Sequence, residues 1–276
     1  MLPSVLWHTP PPVSNSYNAP VPRPLSGRTV IVTRPRGSSA RLAAALRSRG
    51  ATVAFAPLIR TVPPRSWAPL DAALRGFSAY HAAVFASAGA VQAFFGRARA
   101  VLGRVPAAPA VVGAVGPATA KALAASGWRA TAVPDDRRAE GLARALNLPR
   151  GCRILLPRAE GGREALPRLL RARGARVTAV TAYRTVADRP GRRALRSALS
   201  AGADAACFSS GSAADSAAAA LGPAGFRRAF RRSAAVAIGP TTAAALGRRG
   251  VKAWVASAAG DEELAAAVVR ALRELR

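Results

Sequence analysis

Acidic residues are scarce in this chain: 13 Asp and Glu stand against 41 Lys and Arg, a formal net charge of +28 over 276 residues. Lysine is scarce as well, with Lys121 and Lys252 the two present, so the positive charge is almost all arginine. GC-rich coding favours Ala, Arg, Gly and Pro together and accounts for Arg over Lys, but not for the shortage of acids. Two physical readings remain: a nucleic-acid footprint and a field that steers a highly anionic small substrate. The arginines are dispersed as pairs (Arg137-Arg138, Arg192-Arg193, Arg231-Arg232, Arg248-Arg249) with no long basic run. No aromatic string of an RNA-reading strand and no zinc-finger spacing accompanies them, so nucleic acid is not expected as an obligate partner.

The two cysteines, Cys152 and Cys207, and the two histidines, His8 and His81, lie too far apart in sequence to build a His/Cys metal site. The cysteines read as small buried hydrophobes in a reducing compartment, which makes the cytoplasm the expected location. No apolar run approaches the ~18–20 residues of a membrane helix. There is no Ser/His/Asp set, no close carboxylate pair, no context for a cysteine nucleophile and no P-loop. The lone Gly113-x-x-Gly116 lacks the third glycine and the acidic ribose partner of a dinucleotide site. Glu140 and Glu262-Glu263 open helices, where the dipole favours acids. No cofactor is expected, and an enzyme built from this sequence must work mostly by positioning a reactive substrate.

What the chain does have is a duplication, offset by about 124 residues. VTRPRGSSARLAAALRSRGATVAFAPLIRTV from Val32 matches LPRAEGGREALPRLLRARGARVTAVTAYRTV from Leu156, with Arg34 on Arg158, Leu46 on Leu170 and Gly50 on Gly174. After a one-residue slip, AAVFASAGA (Phe85, Ser87) meets AACFSSGSA (Phe208, Ser210), and AVGPATAKAL meets AIGPTTAAAL. Two repeats of roughly 120 residues suit two similar domains with a ligand cleft between them.

Residues 1–25 are rich in Pro and Ser, lack periodicity and lack the features of a signal peptide; they read as a disordered extension or as a misassigned start. From Arg28 strands and helices alternate. TVIVT precedes a helix over Ser39–Arg49 that stops at Gly50, and Leu42, Ala45 and Leu46, like Leu166, Leu169 and Leu170, mark one buried helix face. Helices near Pro69–Arg75, Ala88–Arg99, Pro117–Ser126 and Glu140–Leu146 are separated by HAAVFAS, AVVGAVG and a short strand RATAVP. The second round repeats the order through RILLP, RVTAV, DAACFS, AVAIG and KAWVA to a C-terminal helix from Asp261. The alternation predicts an α/β fold of two flavodoxin-like parallel-sheet domains, with ligands beyond the carboxyl ends of the strands.

Three strand-to-helix turns recur in both halves, and each is suited to an anion. In Gly116-Pro117-Ala118-Thr119 and Gly239-Pro240-Thr241-Thr242 the glycine leaves the strand tightly, and the proline fits the first helical turn. Thr119, Thr241 and Thr242 then offer hydroxyls beside unpaired backbone donors. Ser87-Ala88-Gly89 and Ser209-Ser210-Gly211-Ser212 read the same way, as do Arg34-Pro35 and Arg158. Each can equally be an ordinary N-cap; six such turns, three per domain on the same edge of their sheets, favour anion binding at Arg34, Ser87, Thr119, Arg158, Ser209, Ser210, Thr241 and Thr242. Tyr183 breaks the duplication, standing where the first half has Ile59. It is either a half-buried strand aromatic or a phenol that delivers a proton or hydrogen bond to a ligand.

These motifs, in this order and spacing, resemble the uroporphyrinogen-III synthases over about 245 residues from Arg28. The resemblance rests on VTRP (Val32–Pro35), VFASAGAV (Val84–Val91), AVGPATA (Ala114–Ala120), LPRAEGGREALPRLLRARGARV, AYRT (Ala182–Thr185), CFSSGSA (Cys207–Ala213) and AIGPTTAAAL (Ala237–Leu246). It implies a cofactor-free lyase that dehydrates hydroxymethylbilane, a linear tetrapyrrole polycarboxylate, and closes the ring with inversion of the last pyrrole through a spiro intermediate. Uncatalysed closure gives the unflipped isomer, so orientation is what such an enzyme supplies. It also implies a discontinuous domain of residues 26–60 plus 187–276 and a second of residues 61–186, joined by the strands APLIRT and TAYRT. Tyr183 matches the family's tyrosine, proposed to assist loss of the first ring's hydroxyl, and the Ser and Thr turns match its carboxylate-binding turns. A monomer acting on a small molecule, with no membrane partner, is expected. The first-half turn of the family reads Phe-Thr-Ser with an Asn two residues on; here Ala86 and Gly89 stand at those places. The alternative is a non-catalytic module of the same fold that holds a tetrapyrrole or another polyanion.

Overall fold

The computed structural model describes residues 23–136 and 138–275. In chain order its elements are β1 (Thr29–Val32), α1 (Ala40–Ser48), β2 (Thr52–Phe55), β3 (Ile59–Val62), α2 (Ala68–Arg75), β4 (Ala82–Phe85) and α3 (Ala88–Leu102). There follow β5 (Val111–Ala114), α4 (Pro117–Ala125), α5 (Ala139–Ala145), β6 (Arg153–Ala159), α6 (Ala165–Ala172), β7 (Arg176–Ala187) and α7 (Arg189–Ser200). The last part holds β8 (Ala205–Phe208), α8 (Gly211–Leu221), α9 (Pro223–Arg232), β9 (Ala234–Ala237), α10 (Pro240–Gly247), β10 (Ala253–Val255) and α11 (Asp261–Glu274). The expected extension falls almost wholly outside the described residues. Its last residue, Leu25, is fully buried in a core with Val30, Leu42 and Leu46, because an apolar side chain just ahead of β1 has a sheet to pack on.

The chain divides into two compact units, one formed by the chain up to Ala56 with Pro190–Arg276, the other by Pro57–Arg189. The first has a fully parallel sheet in the order β10-β9-β8-β1-β2. The second has the order β3-β7-β6-β4-β5, parallel except for β3, which runs antiparallel to β7 with Ile59 opposite Ala187 and Val62 opposite Arg184. The two strands expected to cross between domains thus pair with each other along one edge. RVTAV and TAYRT are one twelve-residue strand.

Setting the sheets side by side shows how the duplication is used. β2-β1-β8-β9 corresponds to β7-β6-β4-β5, so each sheet takes two strands from one half of the chain and its remaining matched strands from the other. β10 lies beside β9; at the corresponding edge of the second sheet, RATAVP forms a single parallel bridge from Ala132 to Gly113 instead of the expected strand. Pro134, with no N–H to give, ends the extended stretch there.

The central strands β4, β8 and β9 are buried at every residue, as parallel strands covered on both faces must be. β8 and β9 are mostly alanine, so unit one draws its core volume from Leu42, Leu46, Leu264, Val268 and Leu272 on the flanking helices α1 and α11. The second unit instead stacks Phe77, Phe85, Phe94, Phe95 and Trp128, with centroid separations of 4.9–6.3 Å. The Trp128 indole N–H donates to the Pro106 carbonyl at 3.0 Å, so the large ring is buried without an orphaned donor. The matched helices α1 and α6 end alike: Gly50 and Gly174 take φ +96 and +85, and the following amides, of Ala51 and Ala175, return to Leu46 and Leu170. A Cβ at Gly50 would stand 2.9 Å from Ser26 Oγ.

Asp71 on α2 is buried and holds Arg97 of α3 in a two-pronged pair at 2.6 and 2.7 Å. The hydrogen bonds from Arg97, and then its charge, keep the Asp71 carboxyl below the ordinary 3.8 despite opposing desolvation. A carboxyl depressed in the folded state stabilises it above the unfolded value and loses that contribution as pH falls through the folded value. Urea midpoints should therefore drop below pH 4 in part through this group, and Asp71→Asn should flatten that portion of the curve while lowering the midpoint at neutral pH.

Candidate active site

In a doubly wound sheet the ligand end is the carboxyl edge, at the point where strand order reverses. That point lies between β1 and β8 in the first unit and between β6 and β4 in the second. The turns singled out in the sequence follow β1, β8 and β9 in one unit and β6, β4 and β5 in the other, so within each unit all three stand on this edge.

The turns after β4 and β8 share one design. Ser87 and Ser210 are N-caps in extended conformation; their hydroxyls accept from the amides of Ala90 at 3.1 Å and Ala213 at 3.2 Å. This satisfies one of the open donors of the first turn. Each hydroxyl has a second partner at 3.1 Å: Ser87 meets the Tyr183 phenol of β7, and Ser210 meets Ser212. The turns after β5 and β9 are also twins. Gly116 and Gly239 are fully extended caps followed by Pro117 and Pro240, and the amides of Thr119 and Thr242 return to the glycine carbonyls at 3.0 and 3.1 Å. The donors these turns hold in reserve are thus the amides of Ala118 and Thr241, which have no carbonyl one turn back inside the helix. Thr119 and Thr242 are buried, while Thr241 is exposed.

The turns after β1 and β6 depart from the expected design. Past β1 the chain makes a 3-10 turn over Arg36–Ser38, and Ser39 gives its hydroxyl to the Pro35 carbonyl instead of capping α1. Past β6 a bulge at Arg158-Ala159 precedes a loop, and Glu164 opens α6 without a side-chain cap. Here the arginine side chains, not the helix ends, are the candidate donors. Arg34 pairs with Asp261 at the start of α11, and Arg158 pairs with Glu164 at 2.6 Å and with the Gly162 carbonyl. The pairing of Arg34 with Asp261 was not read from the sequence; the acidic opening of α11 was its one signal.

Among the described residues, two buried side-chain polar atoms lack a hydrogen-bond partner, Arg34 Nε and Ser209 Oγ. Both follow neighbouring strands, β1 and β8, at the reversal point of the first sheet. They are joined there through Thr33, whose hydroxyl donates to the Cys207 carbonyl at 2.7 Å. A buried donor without an acceptor costs about 1–3 kcal/mol, so two at one strand edge mark a place prepared for an acceptor. In the second unit Ala86 holds the place of Ser209, and the phenol of Tyr183 is the added group.

Cys207 is buried and burial pushes its thiol up to about 12, against the opposing charge of Arg34; Cys152 is raised by burial as well. Neither supplies a thiolate near neutral pH. Among the described residues no group of three His, Cys, Asp or Glu could hold a metal, and no helix is long and apolar enough to cross a membrane.

The family described as Uroporphyrinogen-III synthase HemD matches residues 40–266. The chain belongs to the uroporphyrinogen-III synthase family. A uroporphyrinogen-III synthase of Synechococcus elongatus is 39% identical over 163 residues, 58% of this chain. That stretch spans 62% of the relative's own length. A crystal structure of a mutant uroporphyrinogen III synthase from the extreme thermophile Thermus thermophilus superposes with a TM-score of 0.65 at 26% identity. It covers 90% of this chain and 99% of its own. The Helicobacter pylori uroporphyrinogen-III synthetase shares the fold, with a TM-score of 0.55 at 17% identity over 90% of this chain and all of its own.

Ser210→Ala removes the α8 cap of this synthase-family chain and should cost about 1 kcal/mol. The cost should read as a lower urea midpoint with an unchanged slope.

Proposed function

We propose that this chain is a uroporphyrinogen-III synthase, a hydro-lyase of haem biosynthesis that converts hydroxymethylbilane to uroporphyrinogen III. The observation that carries this reading is the family match over residues 40–266. The geometry supports it: a substrate rich in carboxylates needs donors, and the strand edges hold amides, hydroxyls and guanidinium groups. Arg34, Ser209, Ser210, Thr241 and Thr242 are the substrate-binding residues proposed in the first unit, and Thr119, Arg158 and the open backbone amides of the Ser87 turn those in the second. The unpartnered Arg34 Nε and Ser209 Oγ favour a carboxylate between the ends of β1 and β8. Arginine excess adds a field that draws the polyanion in.

Tyr183 is the proposed catalytic residue. Its phenol O–H gives a proton to the departing hydroxyl of the first ring; the C–O bond breaks, water leaves, and the pyrrole nitrogen lone pair carries the resulting cation. The last pyrrole attacks this carbon through its already substituted position to form the spiro intermediate, and rearrangement inverts that ring. The proton lost when the macrocycle regains aromatic pyrroles restores the phenol, so water is the sole by-product. No cofactor enters this scheme. The chain is proposed to act as a monomer in the cytoplasm.

Freshly made hydroxymethylbilane incubated with the purified chain should give predominantly the type III isomer after oxidation. Type I alone, at the spontaneous rate, would leave a binding module of the same fold. Tyr183→Phe should lower kcat by roughly 100-fold, the lower end for a general acid, with a melting temperature close to wild type. Wild-type turnover in that variant would remove the proton-donor role.

A further inference from the structure

The two units serve as each other's control, and the inference drawn from them rests on the synthase reading above. Both cap a helix with serine at the same place, and both cap hydroxyls accept from the amide three residues on. They differ in what else the hydroxyl meets. Ser210 meets Ser212, two residues ahead on its own helix. The place corresponding to Ser212 in the second unit is Gly89, which has no hydroxyl to offer, and Ser87 meets Tyr183 instead. A Cβ on Gly89 would lie 3.4 Å from the phenol Cζ and 3.6 Å from Cε1 and the phenol oxygen. That is ordinary contact for one carbon, but any atom beyond it would contend for the space of the ring or for the Ser87 hydroxyl.

We propose that Gly89 and Ser87 are positioning residues for Tyr183: the glycine clears the place that Ser212 fills in the other unit, and the serine fixes the phenol oxygen at the N-terminus of α3. Either hydroxyl can donate in the Ser87–Tyr183 bond. In the arrangement proposed, Ser87 Oγ accepts from Ala90 and gives its own O–H to the phenol oxygen, which leaves the phenol proton to face a ligand. As that proton moves to the departing hydroxyl, negative charge grows on the phenol oxygen. The Ser87 O–H bond and the positive end of α3 both stabilise this charge, and neither touches the reacting carbon.

The test is a double-mutant cycle in kcat with Ser87→Ala and Tyr183→Phe, run on the full chain with hydroxymethylbilane. Ser87→Ala should lower kcat about tenfold with KM within about twofold. In the Tyr183→Phe background the same change should alter kcat less than about twofold, since a residue acting through the phenol has nothing left to act on. Ser87→Thr should restore turnover, and Gly89→Ser should lower it. Labelling the tyrosine Cζ carbons gives one NMR signal for each of the three tyrosines; the Tyr183 signal should move in Ser87→Ala and return in Ser87→Thr, without any substrate present. Equal losses of kcat in both backgrounds, unchanged kcat in Ser87→Ala, or a Tyr183 signal that stays in place would each overturn the inference and leave the synthase reading intact. A wild-type chain that forms no type III isomer would overturn both, and is seen before any substitution is made.

Discussion

The hydrogen-bond ladders that join distant halves of the chain, β1 to β8 and β6 to β4, are what the rest of this structure depends on. Val30, Ile31 and Val32 pair with Ala205, Ala206 and Cys207, and Ala82 and Ala83 pair with Ile154 and Leu155. Parallel strands cannot be joined by a tight turn, so each neighbour must be reached by a crossover. Where the crossovers change direction, two adjacent strand ends are left uncovered. Arg34 and Ser209 occupy one such place; Arg158 and Ser87 occupy the other. A duplicated sequence thus yields two candidate edges for a ligand, each assembled from both copies.

The shortage of acids gives those present a defined use. Asp261 takes Arg34, Glu164 takes Arg158, Asp204 takes Arg28 while also accepting from the Thr29 amide, and Asp71 takes Arg97. Each of these pairs an arginine with a carboxylate on another element or further along the same loop. They orient guanidinium groups at strand and helix ends. Most other arginines keep their charge uncompensated, and the excess becomes a field over the surface. Composition alone leaves open what that field is for; the donors on the strand edges are of the kind that suits an anion.

Periodicity and turn chemistry made most of the fold legible. Leu42, Ala45 and Leu46 announced a helix with one buried face, Gly50 and Gly174 its end, and the β-branched or alanine-rich runs the buried strands. The departures have local causes. RATAVP stopped short at Pro134, and β3 joined its sheet in the antiparallel sense because it pairs with the end of β7. The candidate site was legible as residue types at strand ends, not as contacts. Sequence could mark Ser87 and Tyr183 separately, 96 residues apart, but not the hydrogen bond between them. Nor could it separate the cap geometry after β4 and β8 from the looser turns after β1 and β6, because all four follow a strand with small or polar residues.

The mixed origin of the first sheet has a consequence for synthesis on the ribosome. Pro57–Arg189 is continuous and emerges before the second part of the other unit, so its sheet can be completed while translation continues. β1 and β2 emerge earlier still, yet the partner of β1 on its other side, β8, comes only after the whole intervening unit. During that interval the run Thr29–Val32, apolar and β-branched, presents an unpaired edge, the kind of segment on which nascent chains stick to one another. Until β8 arrives that edge of β1 stays open, and a holdase that covers the first strand pair would shield it without touching the finished fold.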